Sequence, residues 1–344
     1  MYPCIAIIDK NTLYRYNSYM KMYFSNSDYL AYFDGFLNKL DLADKTNLVI
    51  ETHPKWINIH PAILTLAASL ALQVGKDKVK IPNLTASSGS YLDSMGLFNF
   101  TSQKSPYSIN KKDPSGRFVP LTIIKTPNEQ SRFISEMIPL LHLPPEKAGA
   151  IKYVVGELIR NVLEHSMSKT GAIVAAQYYK KSNTIRIGIC DNGIGIRQSL
   201  SKFWPNHTEN DVDAIKWALT PGVSGTTTDA GGTGDNAGAG LFFIKSIAKV
   251  ARNYFMIYSG SGIYKLLLRD KRSENPRLTI NPEDDRHSER TDAPYLHGTL
   301  VAIDLTLDSD LDEFDKLLAK IRTSYGDAIR LRQKRQYRRF KFVW

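Results

Sequence analysis

Glu157 and Asn161 stand four residues apart in the stretch Gly156-Glu157-Leu158-Ile159-Arg160-Asn161. On a helix that spacing places a carboxylate and a carboxamide one turn apart on the same flank. The carboxylate can take a proton from, or orient, a group that attacks phosphorus. The Asn161 side-chain oxygen is a hard ligand suited to Mg2+, which keeps its other positions for water and phosphates. Further along, Asp191-Asn192-Gly193-Ile194-Gly195 follows an apolar run. A carboxylate at a strand end can accept a hydrogen bond from an exocyclic amine while a flat ring slides past Gly193 and Gly195. A third stretch runs from Gly231 through Gly238 and Gly240 into Leu241-Phe242-Phe243-Ile244. Glycines let backbone N–H groups approach phosphate oxygens, and a helix start favours anions. Taken singly, each stretch has an ordinary explanation: a solvated helix face, a turn after a strand, a glycine linker. None is a P-loop or a dinucleotide fingerprint.

The elements that would carry these residues are visible in the pattern. Residues 146–166 read as a long amphipathic helix with Ile151, Val154, Val155, Leu158, Ile159 and Val162 on one face. Residues 171–179 and 184–190 read as an antiparallel hairpin. Helices are expected at 211–219, 241–251 and 310–325, and strands at 254–259, 263–268 and 299–305. A charged insert at 269–294 is expected to be mobile. His165, one turn after Asn161, reads as a packed histidine rather than a proton carrier.

A helix with E-x-x-x-N, a strand ending in D-x-G-x-G and a G-x-G-L opening a helix resemble, in this order, the GHKL superfamily (gyrase, Hsp90, histidine kinase, MutL). Its ATP-binding α/β sandwich is called the Bergerat fold. The likeness covers roughly residues 130–305, with "ELIRNVLEHS", "DNGIGI", "GAGLFFIKSIAK" and His297-Gly298-Thr299 before the last strand. It implies ATP and Mg2+ as cofactors, with Glu157 as general base or water-positioning group, Asn161 on Mg2+ and Asp191 on adenine. Gly193 and Gly195 would lie beneath the base and Thr299 would support the adenine end. Gly238 and Gly240 would lie by the phosphates, with Leu241 in the same box. Residues 197–237 would form the ATP lid.

The N-terminal part reads as alternating strand and helix, with strands at 4–8, 48–51 and 78–81, and helices at 62–74 and 90–97. It resembles the STAS (anti-sigma-factor antagonist-like) domain over roughly residues 40–100, by pattern alone. Asn58-Ile59-His60-Pro61 stands where phosphorylated members carry a serine or threonine, so no phospho-acceptor carries over. The expected organisation is a STAS-like α/β domain at 1–105, a Ser/Lys/Pro-rich linker at 106–128, a Bergerat-fold domain at 129–308, and a C-terminal helix with a basic tail at 309–344. Two domains suit 344 residues.

The formal net charge of +11 is concentrated at the end, where no acid follows Asp327. Such a tail could hold phosphates of a nucleic acid or an anionic membrane face, or could be a solvated helix extension with its aromatics packed on its own domain. Cys4 and Cys190 have no ligand-like spacing and fit a reducing cytoplasm. The start lacks the pattern of a signal peptide. The most apolar segment, 62–74, is too short for the roughly twenty residues a bilayer needs. Oligomer formation is compatible with the sequence.

His142, the one candidate phospho-accepting histidine before the ATP region, is followed by Pro144 and Pro145, which break a helix. The acid at Glu157 is closer to anti-sigma-factor serine kinases and hydrolysing GHKL ATPases than to sensor histidine kinases. The expectation is therefore an ATP-binding regulatory protein that hydrolyses ATP or passes its γ-phosphate to a protein partner, with the N-terminal domain as interaction module. The alternative is a nucleotide-gated clamp or sensor acting with a partner or nucleic acid.

Overall fold

The computed structural model describes residues 19–107, 117–142, 145–225, 240–268, 278–307 and 314–337. Its strands are β1 (Met20–Phe24), β2 (Leu48–Thr52), β3 (Val79–Lys80), β4 (Phe118–Ile124), β5 (Ala172–Tyr179), β6 (Thr184–Cys190), β7 (Phe255–Gly260), β8 (Gly262–Leu266), β9 (His287–Arg290) and β10 (Leu296–Thr306). Its helices are α1 (Phe33–Leu37), α2 (Pro61–Val74), α3 (Ser90–Ser94), α4 (Pro127–Leu140), α5 (Pro145–His165), α6 (Gly195–Ser201), α7 (Asp211–Ala218), α8 (Gly240–Val250) and α9 (Phe314–Tyr337). The expected strand at 4–8 lies outside the described residues.

Side chains alternate across a strand, and here both faces of one sheet are apolar. The sheet has the order β4-β5-β6-β10-β7-β8-β9, each neighbouring pair antiparallel. Val174, Ala176, Ile185, Ile187 and Ile189 share one core with the α5 stripe of Ile151, Val154, Val155, Leu158, Ile159 and Val162. Phe133 and Met137 of α4 and Phe242 and Ile247 of α8 join them. Ile173, Ala175, Cys190, Met256 and Tyr258 lie in a second core with α2 and the parallel strands β1, β2 and β3.

Helix α2 explains that second core. Twelve of its fourteen residues are buried, so it must be covered on all sides. Pro61 opens the helix, and the His60 ring caps it by accepting from Ala62 N–H at 3.0 Å. A Cβ on Gly188 of β6 would come within 2.4 Å of the Ala62 backbone nitrogen, so only glycine lets the helix start lie this close to the sheet. His60 Nε2 lies 3.0 Å from Asp304 of β10. The N-terminal segment is thus seated on the sheet rather than merely tethered to it.

Several expectations need correction. Residues 118–124, assigned to the linker, form the edge strand β4. Pro120 is tolerated there because an edge strand has N–H groups with no neighbour to serve, and the register shifts between Val119 and Thr122. Helix α4 starts with a capping box in which Thr126 Oγ1 accepts from Glu129 N–H and Glu129 Oε2 accepts from Thr126 N–H, both at 3.2 Å. The insert at 269–294, expected to be mobile, contributes β9 and a buried anchor in its described part. Asp285 accepts from Lys245 Nζ at 2.6 Å and Lys249 Nζ at 2.5 Å, all three residues being buried. The last helix, expected at 310–325, runs on to Tyr337.

Removing Asp285 would leave two ammonium groups buried without their counter-charge. Asp285→Ala is expected to cost roughly 3–5 kcal/mol, read as a fall in melting temperature on the order of 10 °C. A shift below about 2 °C would show that the lysines find water instead.

Candidate functional site

The apolar stripe of α5 faces the sheet, which leaves Glu157 and Asn161 on its flank beside the start of α8. A Cβ on Gly240 would lie 2.7 Å from Glu157 Oε2 and 3.6 Å from Asn161 Nδ2. Two of the three separated stretches therefore meet, and a side chain at Gly240 would fill the space between them. Glu157 accepts from Arg160 Nη2 at 2.5 Å. Burial raises the Glu157 pKa, and the Arg160 charge opposes that rise. Asn161 Nδ2 is buried and finds no partner among the described residues.

The third stretch arrives from the strand side. Asp191 follows β6, is 3% exposed, and its Oδ1 accepts from Gly193 N–H at 2.6 Å. Burial pushes its carboxyl up to about 7, with backbone N–H groups of Gly193 and Thr299 pulling the other way. The turn is locked to its surroundings. Ile194 N–H donates to Ser166 O at the end of α5 at 2.8 Å, and Asp191 N–H donates to Thr299 O at 3.0 Å. Ser259 Oγ accepts from Ile196 N–H and donates to Gly298 O, both at 3.0 Å.

Between these parts lies a cavity of about 260 Å3, close to the lower end of small-molecule pockets at roughly 300–1,000 Å3. Glu157, Asn161, Asp191, Gly195, Gly240, Leu241 and Thr299 all line it. Gly193 does not line it but packs behind it, where a Cβ would come within 2.0 Å of Ser166 O. Gly238 lies outside the described residues. Sequence reasoning missed Tyr153, Ile196, Leu200 and Val223, which make much of the wall. Their signal is only that apolar side chains sit beside motif residues, which any core shares. His165 lines the cavity too, with its pKa lowered chiefly by burial. Lys245 does not reach the cavity, because its ammonium is taken by Asp285.

The expected lid at 197–237 is described only as far as Gly225. That part is folded: α6 and α7 lie in it, Trp204 Nε1 donates to Ser224 O at 2.9 Å, and Asp211 Oδ2 accepts from Ser261 N–H at 2.8 Å. His142 lies in the turn after α4 with φ +52°, not on a helix.

The donor set suits an adenine nucleotide and a hard cation. A buried carboxylate lines a largely apolar cavity, and a carboxamide whose Nδ2 has no partner among the described residues can turn its oxygen onto a metal ion. The geometry defines an antiparallel sheet with helices α4, α5 and α8 on one face and a pocket between α5, α8 and the sheet.

Residues 128–254 match the family model of the histidine kinase-like ATPase domain. The match identifies a histidine kinase-like ATPase domain of the GHKL type over these residues. No curated protein matches the chain. Domains of this type bind ATP, generally with Mg2+, and the match supports an ATP-binding regulatory function. No helix among the described residues is long and apolar enough to cross a membrane.

Proposed function

We propose that the cavity binds Mg-ATP and that the protein hydrolyses it or passes its γ-phosphate to a protein partner. The observation that carries this reading is the meeting of Glu157, Asn161 and Gly240 beside one cavity that Asp191 also lines. In it, Asp191 accepts the exocyclic amine of adenine, with Thr299 supporting that end and Gly195 under the base, while Gly193 shapes the turn from behind against Ser166 O. Asn161 holds Mg2+, and Gly240 and Leu241 flank the phosphates. Bound there, Mg2+ would neutralise charge building on the phosphate oxygens. Glu157 orients the attacking oxygen and takes its proton, and its burial makes it a better base near neutral pH than a solvated glutamate. Arg160 holds that carboxylate in place.

The N-terminal segment, STAS-like by sequence pattern, serves in this reading as the interaction module, with the protein acting in the cytoplasm. The basic residues after Asp327 are a candidate surface for nucleic acid. Incubation of the pure protein with γ-labelled ATP tests the reading. Label on this or another protein supports phosphotransfer, and free phosphate supports hydrolysis. Turnover raised by nucleic acid would favour the clamp, and binding with neither product a sensor.

A further inference from the structure

Asp191 points into the cavity, but its neighbour Asn192 points the opposite way, through the sheet onto α2. Asn192 Oδ1 accepts from Ser69 Oγ and, at 3.1 Å, from Gln73 Nε2. Its Nδ2 donates to Ser69 O at 3.2 Å. Ser69 and Gln73 are four apart, so they present one flank of the helix. The carboxamide is held on both its atoms by a segment more than a hundred residues away in sequence. Ser69 is fully buried, so water cannot readily replace it.

The same helix is fixed at its other end. His60 joins Asp304, and the Ala62 backbone rests on Gly188, two residues before Cys190 in the strand that leads to Asp191. Arg186 of that strand lies over the rings of Tyr29 and Tyr179, each 4.2 Å away. Tyr91 OH donates to Gln177 Oε1 of β5 at 2.9 Å. A shift of α2 relative to the sheet would therefore carry Asn192 with it, and Asn192 shares a peptide plane with Asp191.

We propose that Ser69 and Gln73, acting through Asn192, are positioning residues that set the Asp191 carboxylate against the base, so that the N-terminal segment governs the choice of adenine over guanine. This rests on the proposed reading of the cavity as an adenine nucleotide site. Guanine presents a carbonyl where adenine presents an amine, so an ionised Asp191 held in register repels it. Loosening the register weakens the bond to adenine and relaxes the penalty on guanine. Neither Ser69 nor Gln73 lines the cavity, so neither touches nucleotide.

The test is calorimetric titration of the full chain with Mg-ATP and with Mg-GTP, for the wild type and for Ser69→Ala/Gln73→Ala. The expected result is a fall in ATP affinity on the order of tenfold, with GTP affinity unchanged or higher. The ratio of the two affinities then narrows by on the order of tenfold, about what one charge-assisted hydrogen bond contributes. A purely structural loss would lower both affinities alike and leave the ratio fixed. An unchanged ratio would overturn the proposal. Should the double variant fail to fold, the half-buried Gln73→Ala, which loses only one bond, is read the same way and should narrow the ratio several-fold. Asp191→Asn serves as the control: if it lost ATP while the α2 variants kept wild-type selectivity, only the role of α2 would fall. If it bound ATP as the wild type does, the adenine site itself would fall and the proposal with it.

Discussion

Glu157→Ala is expected to bind ATP about as tightly as the wild type while turnover falls by on the order of 10²–10⁴-fold, the usual contribution of a positioned general base. Binding survives because the base and metal contacts lie elsewhere, on Asp191 and Asn161, and because removing a carboxylate next to the phosphates removes a like charge. The released Arg160 guanidinium, now held at 2.5 Å by Glu157, becomes free to pair with phosphate. The pH profile supplies a second reading. Burial raises the Glu157 pKa, so wild-type turnover should fall with acid at a pH above that of an ordinary glutamate. Glu157→Gln should abolish that limb. Turnover unchanged in Glu157→Ala would remove Glu157 from the chemistry.

Asp191→Asn carries an opposite pair of effects. The Asp191 carboxyl is pushed up to about 7 by burial, whereas an unfolded aspartate releases its proton near pH 4. Between those values the folded protein binds more protons than the unfolded chain. Stability of the nucleotide-free protein therefore falls as pH rises through that window, by at most about 4 kcal/mol. Asparagine at position 191 keeps the shape and carries no charge. The variant without nucleotide is expected to melt above the wild type at pH 8 and close to it near pH 4. Its ATP affinity should drop roughly 10- to 100-fold, since a bond to a charged acceptor contributes about 1.5–3 kcal/mol. Wild-type affinity should rise from pH 6 to pH 8 as the acceptor ionises, and the variant's should stay flat. Full affinity in Asp191→Asn, or a wild-type melting temperature that ignores pH over this window, would contradict the assignment.

Such a cost to stability explains why the turn is so tightly tied down. A half-neutral, buried carboxylate tends to drag its turn toward water, and Ser166 O, Thr299 O and Ser259 Oγ hold the backbone around it. The ligand then meets a donor set already in place, which limits the entropy lost on binding.

The parts of this architecture that sequence revealed are those whose signals are local. The α5 stripe, the β5–β6 hairpin and the Asp191 turn each depend on spacing within a few residues. Both outer strands of the seven-stranded sheet were missed, for one physical reason. An edge strand has a free side, so β4 can contain Pro120 and β9 can read His287-Ser288-Glu289-Arg290 without apolar alternation. The Thr126–Glu129 capping box was readable and would have placed α4. The seat of α2 on the sheet was not readable as a contact, although two traces of it were present. Its residues are apolar apart from the single line of Thr65, Ser69 and Gln73, and a glycine, Gly188, interrupts an isoleucine strand. The cavity wall was the least legible part, because Tyr153, Leu200 and Val223 differ from core residues only in where the fold puts them.

The most direct measurement is a structure of the full chain with Mg2+ and a non-hydrolysable ATP analogue. The base amine should lie within hydrogen-bond distance of the Asp191 carboxylate, with the metal on Asn161 and the terminal phosphate between Glu157 and Gly240. An analogue seated outside this cavity, or one whose base turns away from Asp191, would contradict the account.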